Sequence, residues 1–83
     1  MFKNKNENGL NNISGKKIAL LRKNMKPKMS QRVLAEKLQL QGIDVDKNAV
    51  QRIECGKRFV TDIELVSFAK IFDISVDELL GLK

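Results

Sequence analysis

Ser30-Gln31-Arg32-Val33-Leu34-Ala35-Glu36-Lys37-Leu38, followed further along by Lys47-Asn48-Ala49-Val50-Gln51-Arg52-Ile53-Glu54-Cys55-Gly56, is the stretch whose reading decides the fold. Ser30 carries a side-chain oxygen able to cap a helix start, and behind it Leu34, Ala35 and Leu38 fall on one face at i, i+1 and i+4. A second helix through Leu38 is therefore predicted. Asp46 is the cap for another helix over Lys47 to Cys55, ended by Gly56 at the position where a left-handed backbone costs glycine nothing. At about 100° per residue, Val50 and Ile53 share one side of that helix and Lys47, Asn48, Gln51 and Arg52 share another. Between the two helices, Gln39 to Val45 contains Gly42 and the β-branched Ile43 and Val45, which breaks the helical pattern and reads as an extended turn.

Working outward toward the N-terminus, Ile18, Leu21 and Met25 recur at helical spacing from Ser14 onward. That helix must stop before Pro27, because proline disfavours helix in the residue ahead of it, so Lys26-Pro27-Lys28 is a connecting loop. Residues 1–13 are rich in Asn and Lys with almost no apolar periodicity, the composition of a segment that cannot offset its own ordering entropy. They are expected to form a flexible basic arm, able in principle to touch phosphates or a minor groove but more simply a disordered terminus. Toward the C-terminus, Thr61 and Glu64 have capping-box spacing, and Leu65, Phe68, Ala69 and Phe72 form the inner stripe of a fourth helix. Ser75 and Glu78 repeat the spacing ahead of a short fifth helix bearing Val76, Leu79 and Leu80. Five short helices and no strand signal predict an all-α, compact five-helix bundle, with residues 14–83 as its one domain.

Composition narrows the functional classes. At 83 residues there is room for a single domain, and the net charge of +6 suits a polyanionic partner, although it is equally compatible with an anionic membrane surface or an acidic protein. The single Cys55 cannot form an internal disulfide, and no continuous apolar run could serve as a signal or membrane segment, so a cytoplasmic protein without a membrane association is expected. With no histidine and no second cysteine, ordinary zinc sites and histidine-based acid–base catalysis are excluded. Asp44, Asp46, Asp62 and Glu64 fall in loops and caps rather than in a metal cluster. The chain is therefore not expected to be an enzyme, and neither a cofactor nor a small-molecule ligand is inferred.

The blocks Ser30-Gln31, Leu34-Ala35-Glu36-Lys37-Leu38 and Val50-Gln51-Arg52-Ile53-Glu54-Cys55-Gly56-Lys57-Arg58 closely resemble the Cro and phage-repressor family of helix-turn-helix domains, also called the xenobiotic-response-element type. Phe68-Ala69-Lys70 and Ile74-Ser75-Val76-Asp77-Glu78-Leu79 are similar to that family's last two helices, so the resemblance runs from about Ile18 to Leu80. It implies a lambda-repressor-like fold and sequence-specific binding of double-stranded DNA. One departure is the segment Gln39 to Asp46, which lengthens the family's tight turn by about five residues. It resembles a sub-pattern in which Ile43 and Val45 plug the core and keep the third helix docked.

An α-helix fits the major groove, where base edges present distinct donor and acceptor patterns. By pairing geometry Lys47 and Arg52 suit guanine O6 and N7, while Asn48 and Gln51 suit adenine N6 and N7. The resemblance marks the positions of Lys47, Asn48 and Gln51 as base readers; Arg52, furthest round the wheel, is also able to reach a phosphate. Gln31 and Arg32 stand at a helix N-terminus suited to a phosphate, and Lys57 and Arg58, directly after Gly56, are candidate phosphate clamps. For each of these the competing reading is a solvated surface side chain. The resemblance further implies that Gln31 braces the recognition helix and that Arg22 and Glu54 pair as a partly buried salt bridge with a structural role. Cys55 reads as a small residue near a helix end.

A domain of this size buries too little DNA for strong discrimination, so a homodimer on a pseudo-palindromic operator is expected, acting as a transcriptional repressor. Val76, Leu79, Leu80 and Leu82 are candidates for the shared contact, with completion of the monomer core as the alternative for Val76 and Leu79. The rival function is a protein-interaction module such as an antitoxin or anti-repressor on the same fold.

Overall fold

The computed structural model describes residues 9–82. The chain folds into α1 (Gly15–Lys23), α2 (Gln31–Leu40), α3 (Lys47–Glu54), α4 (Asp62–Phe72) and α5 (Val76–Leu79), an all-α bundle with no strand among the described residues. Helix α3 packs on α2 and α1, while α4 packs on α1, α2 and α5. The core is built from one to three residues of each face read in the sequence: Ile18 of α1, Leu34, Ala35 and Leu38 of α2, Val50 and Ile53 of α3, Phe68 and Phe72 of α4 and Leu79 of α5. The two phenylalanine rings stack nearly parallel with centroids 6.5 Å apart. Among the described residues no helix is long and apolar enough to cross a membrane.

The helix starts follow the capping chemistry. Ser30 accepts from the Val33 N–H, Asp46 from Ala49, Thr61 from Glu64 and Ser75 from Glu78. At Thr61 the capping box is complete, because the Glu64 carboxylate also accepts from the Thr61 N–H. For Ser75 only the serine half of the box is formed among the described contacts.

The lengthened turn differs from the extended segment expected over Gln39 to Val45. Helix α2 runs on to Leu40 and then closes with the Gly42 N–H on the Gln39 carbonyl and the Ile43 N–H on the Leu38 carbonyl, the pattern of a Schellman motif. Gly42, at φ +84°, provides the left-handed residue that this closure requires. The closure brings Ile43 back over Leu38, so Ile43 and Val45 are buried and seal the core between α2 and α3. Gln39 holds the end of the turn, its Nε2 donating to the Val45 carbonyl at 2.7 Å.

The N-terminal segment also departs from expectation. Residues 1–8 of the expected arm lie outside the described residues, but 10–12 are bound to the body of the protein. Asn12 donates through Nδ2 to the carbonyls of Ile53 and Arg58, and its Oδ1 accepts from the Gly15 N–H. Four-residue capping by Ser14 would have been the local alternative, yet the Ser14 side chain makes no cap bond and the residue is buried. Asparagine at 12 thus takes over the start of α1, and through it joins that helix to the end of α3.

Gly15 reflects the same close approach. A Cβ there would collide with the carbonyl oxygen of Ile53 and press on that of Glu54, both at the last turn of α3. Alanine would favour the α1 helix by about 1 kcal/mol through propensity, but overpacking costs roughly 1–3 kcal/mol. Gly15→Ala is therefore expected to lower stability by about 1 kcal/mol, read as a lower urea midpoint at unchanged m-value; a midpoint at or above that of the parent would show that α1 can back away from α3 at no cost.

Candidate nucleic-acid interface

Helix α3 is capped at both ends and anchored along one side. Asp46 Oδ1 holds the Ala49 N–H at 2.8 Å at its start. At its end the Gly56 N–H meets the Ile53 carbonyl and the Lys57 N–H meets the Arg52 carbonyl, closing it with the same motif that ends α2. Val50 and Ile53 have no solvent exposure, so they anchor the inner face. The opposite face carries Lys47, Asn48, Gln51 and Arg52, all exposed. None of these four side chains makes a hydrogen bond or ion pair to another described residue. The structure thus brings the four residues Lys47, Asn48, Gln51 and Arg52 together on one uncommitted face of a helix that is capped at both ends and packed on its inner side.

The inner edge of α3 is tied down by a charged cluster. Arg22 of α1 grips Glu54 with two parallel bonds, Nε to Oε2 at 2.6 Å and Nη2 to Oε1 at 3.0 Å. Its remaining terminal nitrogen, Nη1, donates to the Met29 carbonyl at 3.0 Å. Gln31, at the first residue of α2, donates Nε2 to Glu54 Oε1 at 2.9 Å. The side chains of Arg22 and Glu54 are only 12% and 7% exposed, so this is a largely desolvated bidentate pair. Gln31 therefore braces α3 through one of the two N–H groups of its amide. Arg32, next to it, is exposed and has no side-chain partner among the described residues.

Beyond α3 the two candidate clamps separate. Lys57 is exposed, with no side-chain partner among the described residues. Arg58 is half-buried and committed: Nη1 and Nη2 contact Glu64 Oε1 and Oε2 at 3.0 and 3.1 Å, and Nη1 also donates to the Phe59 carbonyl. Arg58 thus has its charge and fork geometry matched to a carboxylate within the fold, which distinguishes it from the uncommitted Lys57. Burial tends to raise the Glu64 pKa, but the hydrogen bond from Arg58, the Thr61 N–H, the Arg58 charge and the Thr61 side chain together outweigh it and hold the carboxyl below its ordinary value.

Of the apolar residues near the C-terminus, Leu79 belongs to the core, Val76 and Leu80 are half-buried and Leu82 is 69% exposed. Leu79 is thereby removed from the candidate contact with a second copy. Cys55 caps the end of α3 and is exposed.

Sequence reasoning missed the Asn11 and Asn12 contacts to the end of α3, the Arg58–Glu64 pair and the burial of Met29. The first two join positions far apart in the chain or with a second role to play, and no local pattern announces them. The spacing Arg58-x5-Glu64 was visible but was absorbed by the capping box.

Two stability experiments follow from these pairs. Removing one partner of a desolvated pair strands the other charge, so Glu54→Ala is expected to cost about 3 kcal/mol, measured by urea denaturation; a loss under about 0.5 kcal/mol, the size of a surface pair, would show that water reaches Arg22 freely. Because Glu64 titrates lower in the folded than in the unfolded chain, its contribution is present above the ordinary glutamate value of 4.5 and is lost as pH falls through the lowered one. Glu64→Gln should therefore narrow its stability gap from the parent as pH is taken from 6 to about 3; a gap that stays constant would contradict the lowered pKa.

No protein-family model, curated protein or solved structure matches the chain.

Proposed function

We propose that the protein is a sequence-specific DNA-binding transcriptional regulator of the Cro and phage-repressor helix-turn-helix type, with α3 entering the major groove. The observation that carries this reading is the exposed, uncommitted set Lys47, Asn48, Gln51 and Arg52 on a helix whose other side is buried and whose ends are capped. Side chains of this kind are suited to base edges: a cation bidentate to guanine, an amide bidentate to adenine. A structural role would instead have spent some of these donors within the fold, as happens with Arg22, Gln31 and Arg58.

Arg32 and Lys57 flank this face at the start of α2 and the exit of α3, where phosphate contacts set register without reading sequence. Exposed Lys16, Lys17, Lys26 and Lys28 add to the positive field. In the proposed complex the chain acts as a homodimer on a pseudo-palindromic operator in the cytoplasm, as a repressor and not as an enzyme, and without cofactor. Dimerisation would double the buried DNA surface and place two α3 helices in successive major grooves, about 34–36 Å apart.

A second reading, a protein-interaction module of the antitoxin or anti-repressor kind, draws on a different observation. Leu40 is 88%, Ile63 67% and Val66 46% exposed, and they line two shallow depressions that share Gln41. DNA binding through α3 leaves this apolar surface unused.

A randomised-duplex selection at about 150 mM salt, where purely electrostatic binding is already weak, separates the readings. A two-fold motif with half-sites one helical turn apart is expected; enrichment of no motif would favour the interaction module. With the motif in hand, Lys47→Ala or Gln51→Ala should relax preference at a single base position by about 1–3 kcal/mol. Lys57→Ala should weaken all sequences alike and reduce the salt slope by about one. If all three variants weakened specific and random duplexes equally, the division between readers and clamps would be wrong.

A further inference from the structure

The loop leaving α3 would ordinarily be free to move, since Gly56 to Val60 forms no regular element. Four carbonyl oxygens along this exit are nevertheless held by just two residues from the other end of the chain. The Asn11 N–H donates to Gly56 at 2.7 Å and its Nδ2 to Lys57 at 2.7 Å. Asn12 Nδ2 donates to Ile53 at 3.0 Å and to Arg58 at 2.7 Å. The segment is itself pinned to α1 by the Gly15 N–H on Asn12 Oδ1 at 2.7 Å. Leu10 lies directly over Gly56, where a Cβ would come within 2.6 Å of its Cδ2.

Lys57 sits in the middle of this arrangement with both of its backbone polar groups engaged: its N–H donates to the Arg52 carbonyl at 2.8 Å and its carbonyl receives Asn11. Its ammonium is left exposed. A lysine on a free loop must order backbone and side chain together each time it meets an anion; one whose Cα–Cβ direction is already set need order only the side chain.

We infer that residues 10–12 form a strap which fixes the exit loop, and that Asn11 is a positioning residue for Lys57, setting where its ammonium meets a DNA phosphodiester. The inference rests on the DNA-binding reading of α3. Asn11 makes a clean probe because its Oδ1 is buried with no partner among the described residues. Removing the side chain therefore discards an unsatisfied acceptor along with one solvent-exposed bond, and the fold loses little. Asn12, which also caps α1, would instead disturb two helices at once.

The test is a double-mutant cycle on the full chain, using duplexes of random sequence and of the selected motif at about 100 mM salt. Asn11→Ala should weaken binding to both by about threefold, the order contributed by fixing one flexible side chain, with base preference unchanged. In a Lys57→Ala background the same substitution should have no further effect. An equal loss in both backgrounds, or no loss in either, overturns the positioning role. Should Lys57→Ala itself leave DNA binding and its salt dependence unaltered while the motif is still selected, Lys57 is no clamp and this inference falls while the reading of α3 stands. Urea midpoints accompany each variant. If Asn11→Ala is destabilised enough to obscure binding, Asn11→Gln, which keeps the amide but displaces it by one methylene, should show the same dependence on Lys57; a loss independent of Lys57 overturns the inference equally.

Discussion

The carboxylate of Glu54 is the point on which the arrangement of the first three helices depends. It stands on the last turn of α3, accepts two bonds from Arg22 of α1 and one from Gln31 of α2, and is almost out of solvent. Taken alone this is a poor place for a negative charge: the carbonyl end of a helix repels it, and desolvation penalises it further. A well-packed apolar trio could give equal or greater stability at that position. What an apolar trio could not give is direction. The bidentate fork fixes the angle and axial position of α3 relative to α1, the Gln31 amide fixes them relative to α2, and the remaining Arg22 nitrogen ties the loop between those helices through the Met29 carbonyl.

Much of this was legible in the sequence wherever the cause is local. Ser30, Asp46 and Thr61 announce helix starts because capping is a matter of a side chain and the backbone three residues on. The core stripes follow from helical spacing. Glu54 with Arg22, and the bracing by Gln31, entered through resemblance to a family pattern and are seen in the contacts. The part that could not be read has a different cause. Asn11 and Asn12 meet partners more than 40 positions away, and in a stretch of Asn and Lys nothing distinguishes a structural amide from a solvated one. Gly15 looks like an unremarkable glycine until α3 is laid against it. At the lengthened turn, Gly42 signalled a break correctly, but a Schellman closure leaves its glycine one residue past the cap, so α2 extends further than the last core leucine suggests.

The cations divide into two groups by what they touch. Arg22 and Arg58 are each clasped by a carboxylate, Glu54 and Glu64, and contribute geometry rather than field. Lys47, Arg52, Arg32 and Lys57 are exposed, with no side-chain partner among the described residues. Planar, always-charged guanidinium suits the first task, since it can satisfy both carboxylate oxygens at once; Lys57, a point charge on a flexible stem, suits contact with a phosphate that needs attraction more than orientation. Substituting lysine for Arg22 or Arg58 would keep the sign of charge and lose the fork.

On the proposed reading, this division explains why so small a chain spends so many polar contacts on one short helix. Base discrimination by side-chain donors requires the helix to arrive in the groove at a set depth and angle, because a bidentate amide or guanidinium displaced by an ångström loses one of its two bonds. Hydrophobic packing through Val50 and Ile53 resists pulling α3 away from the body but resists rotation about its own axis only weakly, since apolar contact is non-directional. Rotation is opposed by groups off that axis: Glu54 on one flank and the strap of Asn11 and Asn12 at the exit. With those two constraints at separate points, the backbone beneath Lys47, Asn48, Gln51 and Arg52 is oriented in folding, and only the side chains remain to be ordered on binding.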